Sequence, residues 1–147
     1  MSYLPEGLPA PTAGADGLST PYWEGTRREK LLIQFCRGCN HWQWGPEWIC
    51  HRCNSFDLDW REVKGQGLIY SYQRIWHPVH PALNGHGPYV AVLVELPQAE
   101  NVRMVGNLLG NPEQDVPIGA PVQAVFEHHE NASPPFSLVH WRLTASA

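Results

Sequence analysis

All four cysteines of this 147-residue chain stand in two pairs of equal spacing, Cys36-x2-Cys39 and Cys50-x2-Cys53, with ten residues between the pairs. Two such knuckles can close their thiolates around one tetrahedral zinc ion. A catalytic zinc keeps one coordination position for water or substrate, and four cysteinates fill every position, so the predicted role is structural. Two disulfides are the competing arrangement, but small disulfide scaffolds normally follow a secretory signal. The first twenty residues carry no basic residue and no apolar core of signal-peptide length. They hold Pro5, Pro9 and Pro11 with Gly7, Gly14 and Gly17, and read as a flexible arm over 1–19. His41, close after the first pair, is assigned to a solvated turn and not counted as a ligand.

With the cysteines committed to metal, no thiol nucleophile remains. The remaining candidates for contact with a substrate lie in one stretch: Arg74 and Trp76, then His77, His80 and His86 in a connection rich in proline and glycine. Loops of that composition can place histidines for proton transfer, and they are equally what joins two strands of a barrel. Gly65-Gln66-Gly67 lacks the spacing and the basic residue of a phosphate-binding loop. No motif favours a nicotinamide or flavin, so no redox cofactor is expected. Tyr22, Trp23, Trp44, Trp48, Phe136 and Trp141 are candidate anchors for a partner protein, because rigid aromatic groups dominate the energetics of interfaces. Packing inside the metal module is the competing role for Trp42, Trp44 and Trp48.

The elements that must position these residues are mainly β. Ser19 to Glu24 reads as a helix start, with a hydroxyl cap at Thr20, Pro21 in the first helical position and Glu24 in the first turn, giving a helix over 20–30. A zinc ribbon is predicted over 31–57, entered by a strand from Leu31 to Phe35. Residues 58–147 are assigned to a barrel with a C-terminal strand or tail. Its strands are Gly67 to Trp76, Tyr89 to Leu96, Asn101 to Leu109, Pro121 to His128 and Ser137 to Leu143. In the second of these, Val90, Val92, Val94 and Leu96 share one side. Short strands separated by glycine and proline, with no long amphipathic helix between them, favour a small antiparallel barrel over a doubly wound sheet.

Ten basic residues face fourteen acidic ones, a formal charge of -4. That balance weakens a nucleic-acid role, which wants a concentrated positive surface. The barrel section offers only Lys64, Arg74, Arg103 and Arg142, well separated, with Arg61 at its entrance. Tyr70, Tyr72 and Trp76 could offer bases a stacking platform, but strand aromatics also fill barrels. No apolar run reaches transmembrane length, so no membrane insertion is expected and a cytoplasmic protein is the simplest reading.

Several segments, taken in order and spacing, carry a family resemblance. They are Leu31 to Cys39, Cys50-x2-Cys53, Val63 to Tyr72, Pro88 to Leu96, Val105-Gly106-Asn107-Leu108 and Ile118-Gly119-Ala120-Pro121-Val122. Together, over roughly residues 20 to 143, they resemble the DUF35 family. The resemblance implies a rubredoxin-like zinc ribbon followed by an OB-fold domain. It also implies a non-catalytic accessory subunit that stabilises a thiolase-like enzyme acting on acyl-CoA thioesters and helps shape its substrate path. A thiolase or an aldolase that cleaves steroid side chains carried on CoA is the implied partner, the aldolase being the leading case, and a hot-dog hydratase is another. Two accessory chains on a two-fold enzyme dimer would make a heterotetramer. The alternative within this chemistry is an independent binder or transfer protein for CoA thioesters. In that case Lys30, Arg37, Arg52 or Arg74 would meet the CoA phosphates, and Trp76 or Tyr89 its adenine or pantetheine.

Overall fold

The computed structural model describes residues 3, 5–11 and 13–144. Part of the predicted arm (1, 2, 4 and 12) and the last residues of the tail (145–147) lie outside the described residues.

The helix α1 (Thr20–Arg27) is shorter than predicted, and Ser19, not Thr20, occupies the cap position without a side-chain hydrogen bond. Its first turn holds no acidic residue, so Glu24 lies beyond the reach assigned to it. Eight residues make a marginal helix in isolation, and tertiary contacts hold this one. Gly25 seats it on the following strand so closely that a β-carbon would come 2.8 Å from Leu32 Cγ. The buried Thr26 hydroxyl stands 2.9 Å from Trp23 O and 3.3 Å from Ser137 O, tying the helix to the last strand of the chain.

Three strands, β1 (Leu31–Cys36), β2 (His41–Gln43) and β3 (Leu58–Val63), form an antiparallel sheet in the order β2-β1-β3. Residues 58–63, assigned above to the barrel, therefore belong by hydrogen bonding to the ribbon sheet, pairing from Leu31↔Val63 to Cys36↔Leu58. The barrel proper is built from β4 (Gln66–Ile75), β5 (Tyr89–Leu96), β6 (Val102–Leu108), β7 (Pro121–His129) and β8 (Phe136–Leu143), closed in the order β4-β5-β6-β8-β7. All pairs are antiparallel except β6 with β8, which meet in parallel at Leu108↔Trp141. This is the zinc-ribbon plus OB-fold architecture, mainly β, with α1 as the one α-helix among the described residues.

Strict alternation in β5 turns Val90, Val92, Val94 and Leu96 into the core, as the period-2 pattern predicts. Leu31, Ile33 and Val63 of the ribbon sheet join the same cluster, so ribbon and barrel share one core instead of dividing it. In β4 the outcome differs from the barrel-filling alternative: Tyr70 and Tyr72 are exposed, and the Arg103 guanidinium lies 3.6 Å over the Tyr70 ring. A register shift between Ile69 and Ser71 interrupts the alternation there. A second tie between the two sheets is polar. Glu100, at the β5–β6 corner, places Oε2 3.0 Å from the Trp42 amide and 2.7 Å from His41 Nδ1.

Candidate metal centre and binding surfaces

The chain turns twice into the space at the end of the ribbon sheet, and each turn has the same device. The residue after the second cysteine of each pair is an asparagine with a left-handed backbone, Asn40 at φ 55° and Asn54 at φ 60°. Asparagine adopts that conformation more readily than most residues because its short amide can bond locally. The four sulfurs that converge, those of Cys36, Cys39, Cys50 and Cys53, all lie within 4.8 Å of one another. Cys36 Sγ is 3.6 Å from Cys53 Sγ, and Cys39 Sγ is 3.7 Å from Cys50 Sγ. Tetrahedral thiolates held about 2.3 Å from a zinc ion stand about 3.8 Å apart, whereas disulfide sulfurs are about 2.05 Å apart. The cluster fits a zinc ion and not a pair of disulfides, and the cysteines are free.

Crowding spreads the ionisation of these thiols. Burial, reinforced by the neighbouring sulfurs, pushes Cys39 up to about 12. For Cys50, burial also raises the thiol, but the amides of Cys53 and Arg52 and the other cysteines outweigh it and lower it to about 6. A thiolate is thus ready to take a cation, and a bound dication stabilises the remaining thiolates. Four protein sulfurs leave no exchangeable position, so such a metal would hold the knuckles together and activate no water.

The second knuckle is positioned by two buried glutamines that sequence reasoning did not single out. Gln43 Nε2 donates to Gln34 Oε1 at 2.6 Å, Gln34 Nε2 donates to Glu47 O at 2.9 Å, and the Glu47 amide returns to Gln34 Oε1 at 3.1 Å. The His51 amide, next to Cys50, donates to Gln43 Oε1 at 3.0 Å. These amides thereby pin the irregular segment 44–51 to the β1–β2 hairpin. The available signal was the polar Gln34 inside the otherwise apolar strand Leu31–Cys36; its pairing with Gln43 shows only in the folded register.

The predicted partner anchors separate into different environments. Trp48 is 58% exposed, and beside it Phe56, which sequence reasoning passed over, is 78% exposed; both line a shallow groove together with Trp60. Tyr22, Trp23 and Trp44 are half-buried and packed edge to face, with ring centroids 5.2 Å and 5.0 Å from that of Tyr22. Burial pushes the Tyr22 hydroxyl up to about 12. Phe136 is half-buried and stacks on His129 at 4.4 Å. Trp141 is a correction: at 0% exposure it sits inside the barrel, where no partner reaches it.

The residues predicted to approach a substrate are not brought together. Arg74 spends its guanidinium on the backbone, with Nε 2.8 Å from Pro112 O and an Nη 2.6 Å from Gln114 O, bracing the connection after β6 instead of offering a free fork to phosphates. His80 Nδ1 accepts the Ala82 amide at 3.1 Å and so caps the short turn Pro81–Leu83. His77 and Trp76 are exposed on the approach to that turn. Of the five, only His86 lines the cavity at the barrel end. That cavity also reaches His140, buried on β8, whose Nε2 lies 2.8 Å from the buried carboxylate of Glu127 on β7. The described part of the arm is tethered there, since the Tyr3 amide donates to Glu127 Oε2 at 3.0 Å.

Comparison with known proteins follows the same outline. The family model for the C-terminal OB-fold domain of ChsH2 matches residues 60–127. The chain is 41% identical over 101 residues to a "Probable enoyl-CoA hydratase alpha subunit" of Thermomonospora curvata, an alignment covering 69% of this chain and 30% of that much longer protein. It is 30% identical over 107 residues to a DUF35 domain-containing scaffold protein of Methanocaldococcus jannaschii, covering 71% of this chain and 73% of the relative. Among solved structures it superposes on a chain of the Ltp2-ChsH2(DUF35) aldolase with a TM-score of 0.75 and 34% identity, over 91% of this chain and 98% of that one. A protein from the DUF35 family of Sulfolobus solfataricus shares the fold, with a TM-score of 0.57 and 17% identity.

Proposed function

This chain belongs to the DUF35 family, and we propose that it serves as a non-catalytic accessory subunit of a thiolase-like enzyme that acts on acyl-CoA thioesters. The observation that carries this reading is the likeness to the DUF35 chain of the Ltp2-ChsH2 aldolase, which extends over 98% of that chain. The concrete case we favour is a retro-aldolase that cleaves steroid side chains carried on CoA, with the carbon–carbon chemistry in the partner and this chain stabilising it and shaping the path of its substrate. The grouping of all four cysteines in one metal cluster is in keeping with that division, because it leaves no thiol for covalent catalysis.

The docking face we assign is the ribbon side, where Trp48 and Phe56 are exposed beside a groove that Pro21 of α1 also lines. Large aromatic groups at the centre of an interface supply much of its binding energy. A structural zinc would keep this face rigid, and two accessory chains on a two-fold enzyme dimer would give a heterotetramer. Affinity copurification of the native protein, with identification of bound proteins and zinc quantification on the same sample, tests the reading. A thiolase-like partner near equal stoichiometry is expected; a stable lone chain would refute it.

A second reading has its own support. The higher identity, 41%, is to a protein named as a hydratase subunit. The same copurification distinguishes the two, since a hot-dog hydratase would be recovered in place of the thiolase-like enzyme.

A further inference from the structure

A cavity of about 670 Å³ opens at the end of the barrel where β5 begins and β6 ends. It is lined by the core residues Val90 and Leu108, by Leu109, by Leu8 of the arm and by Leu83 of the β4–β5 connection. Small-molecule sites have this size and character, with few polar groups placed among apolar ones. Here the buried polar group is His140, 2% exposed.

The hydrogen bonding of His140 fixes what it can offer. Glu127 Oε2 lies 2.8 Å from its Nε2 and 3.0 Å from the Tyr3 amide, while Glu127 Oε1 lies 2.7 Å from His129 Nε2. A carboxylate in that position is an acceptor, so the proton of the His140 ring belongs on Nε2 and Nδ1 is a bare acceptor. Burial lowers the pKa of His140 and favours this neutral form. Nδ1 is buried and, among the described residues, has no hydrogen-bond partner. An unmet buried acceptor is destabilising, and an occupant that brings an O–H removes that cost.

We propose that the barrel-end cavity binds one apolar molecule carrying a hydroxyl, the O–H donating to His140 Nδ1 and the hydrocarbon lying against Val90, Leu108 and Leu109. A purely hydrocarbon ligand would leave Nδ1 unmet, and a polyhydroxylated one would bury hydroxyls against apolar walls. Binding here is a property of this chain by itself. Its absence would leave the accessory role standing, and failure to find an enzyme partner would leave the cavity's function standing.

The test uses the full chain loaded with zinc, titrated with 1-decanol and with decyl methyl ether, which has a similar chain and no donor. Binding is read by the ¹⁵N resonance of His140 Nδ1 and by calorimetry. Saturable one-to-one binding of decanol is expected, with a shift of the Nδ1 resonance and at least tenfold weaker binding of the ether. Leu83→Trp adds bulk to the cavity lining while leaving the His140–Glu127 pair itself unsubstituted, and should weaken decanol binding at least tenfold at an unchanged melting temperature. Equal affinity for alcohol and ether, a stationary Nδ1 resonance at saturation, no saturable binding of either probe, or undiminished binding by Leu83→Trp would each overturn the proposal.

Discussion

The indole of Trp141 occupies the space that a side chain at position 106 would need: a β-carbon on Gly106 would lie 2.7 Å from Trp141 Cδ1 and 2.8 Å from its Nε1. β6 can therefore pass the largest core residue only as glycine, and the single parallel contact of the barrel, Leu108↔Trp141, closes next to it. Gly106→Ala should overpack this point and cost about 1–3 kcal/mol. Urea unfolding would show it as a lower midpoint at unchanged slope. An unaltered midpoint would mean that the indole has room to move, contrary to its complete burial.

The same pair explains a misreading of the sequence. β8 buries Ser137, His140 and Trp141, two of them adjacent, so no period-2 pattern separates inside from outside, and Trp141 reads as a surface aromatic. β5, which alternates faithfully between two antiparallel neighbours, was legible to the residue. The metal cluster was legible because ligand chemistry restricts both residue type and spacing. What positions it was not: Gln34 acts through Gln43, 9 positions away, and Glu100 through Trp42, 58 positions away, partners that only the folded register brings together. Likewise Leu58–Val63 carries no mark of which sheet it joins until its pairing with β1 is seen.

Cys36→Ser and Cys53→Ser should each lose zinc and loosen the ribbon, because the knuckles have little core of their own and metal binding contributes directly to their folding. Since Leu31, Ile33 and Val63 pack into the barrel core, the barrel should persist but melt at a lower temperature. Metal analysis and thermal denaturation of both variants check this. One equivalent of zinc per chain with wild-type melting in both would exclude the four-cysteine centre.

Gln34→Leu should be among the most damaging single changes outside the cysteines. It keeps the volume but strips partners from the Glu47 amide, the Glu47 carbonyl and the Gln43 side-chain amide at once. A buried group left unpaired costs about 1–3 kcal/mol; Gln43 is buried, whereas the backbone groups of the exposed Glu47 can turn to water, so a loss of about 1–3 kcal/mol is expected. Because the released segment carries Cys50, a colorimetric chelator should also remove zinc faster from this variant than from the wild type. Unchanged removal kinetics would separate the glutamines from the metal centre.

Glu100→Ala probes the tie between the two sheets. The carboxylate lies 3.0 Å from the Trp42 amide and 2.7 Å from His41 Nδ1. The hydrogen bond from that amide, with His41 beside it, holds the carboxylate below its usual range. Its removal should accelerate hydrogen exchange at the Trp42 amide while zinc content stays at the wild-type level. Equal exchange rates in the two proteins would show that the shared apolar core alone fixes the ribbon on the barrel.

His140 makes stability depend on pH with a definite sign. Burial lowers its pKa below the ordinary 6.5, Glu127 on β7 opposes that, and His129 on the same strand adds to it. In the window between the lowered value and about 6.5, the unfolded chain holds more protons on this residue than the folded one, so stability rises with pH there and levels off above it. The contribution is fully present above about 6.5 and is lost as the pH falls through the folded value. The informative quantity is the difference between the wild type and His140→Gln, which keeps a polar side chain facing Glu127 but does not titrate. Urea midpoints measured from pH 8 downward should fall more steeply below about pH 6.5 in the wild type than in the variant. Parallel curves would mean that His140 takes up its proton equally well in the folded barrel, which its burial beside Glu127 argues against.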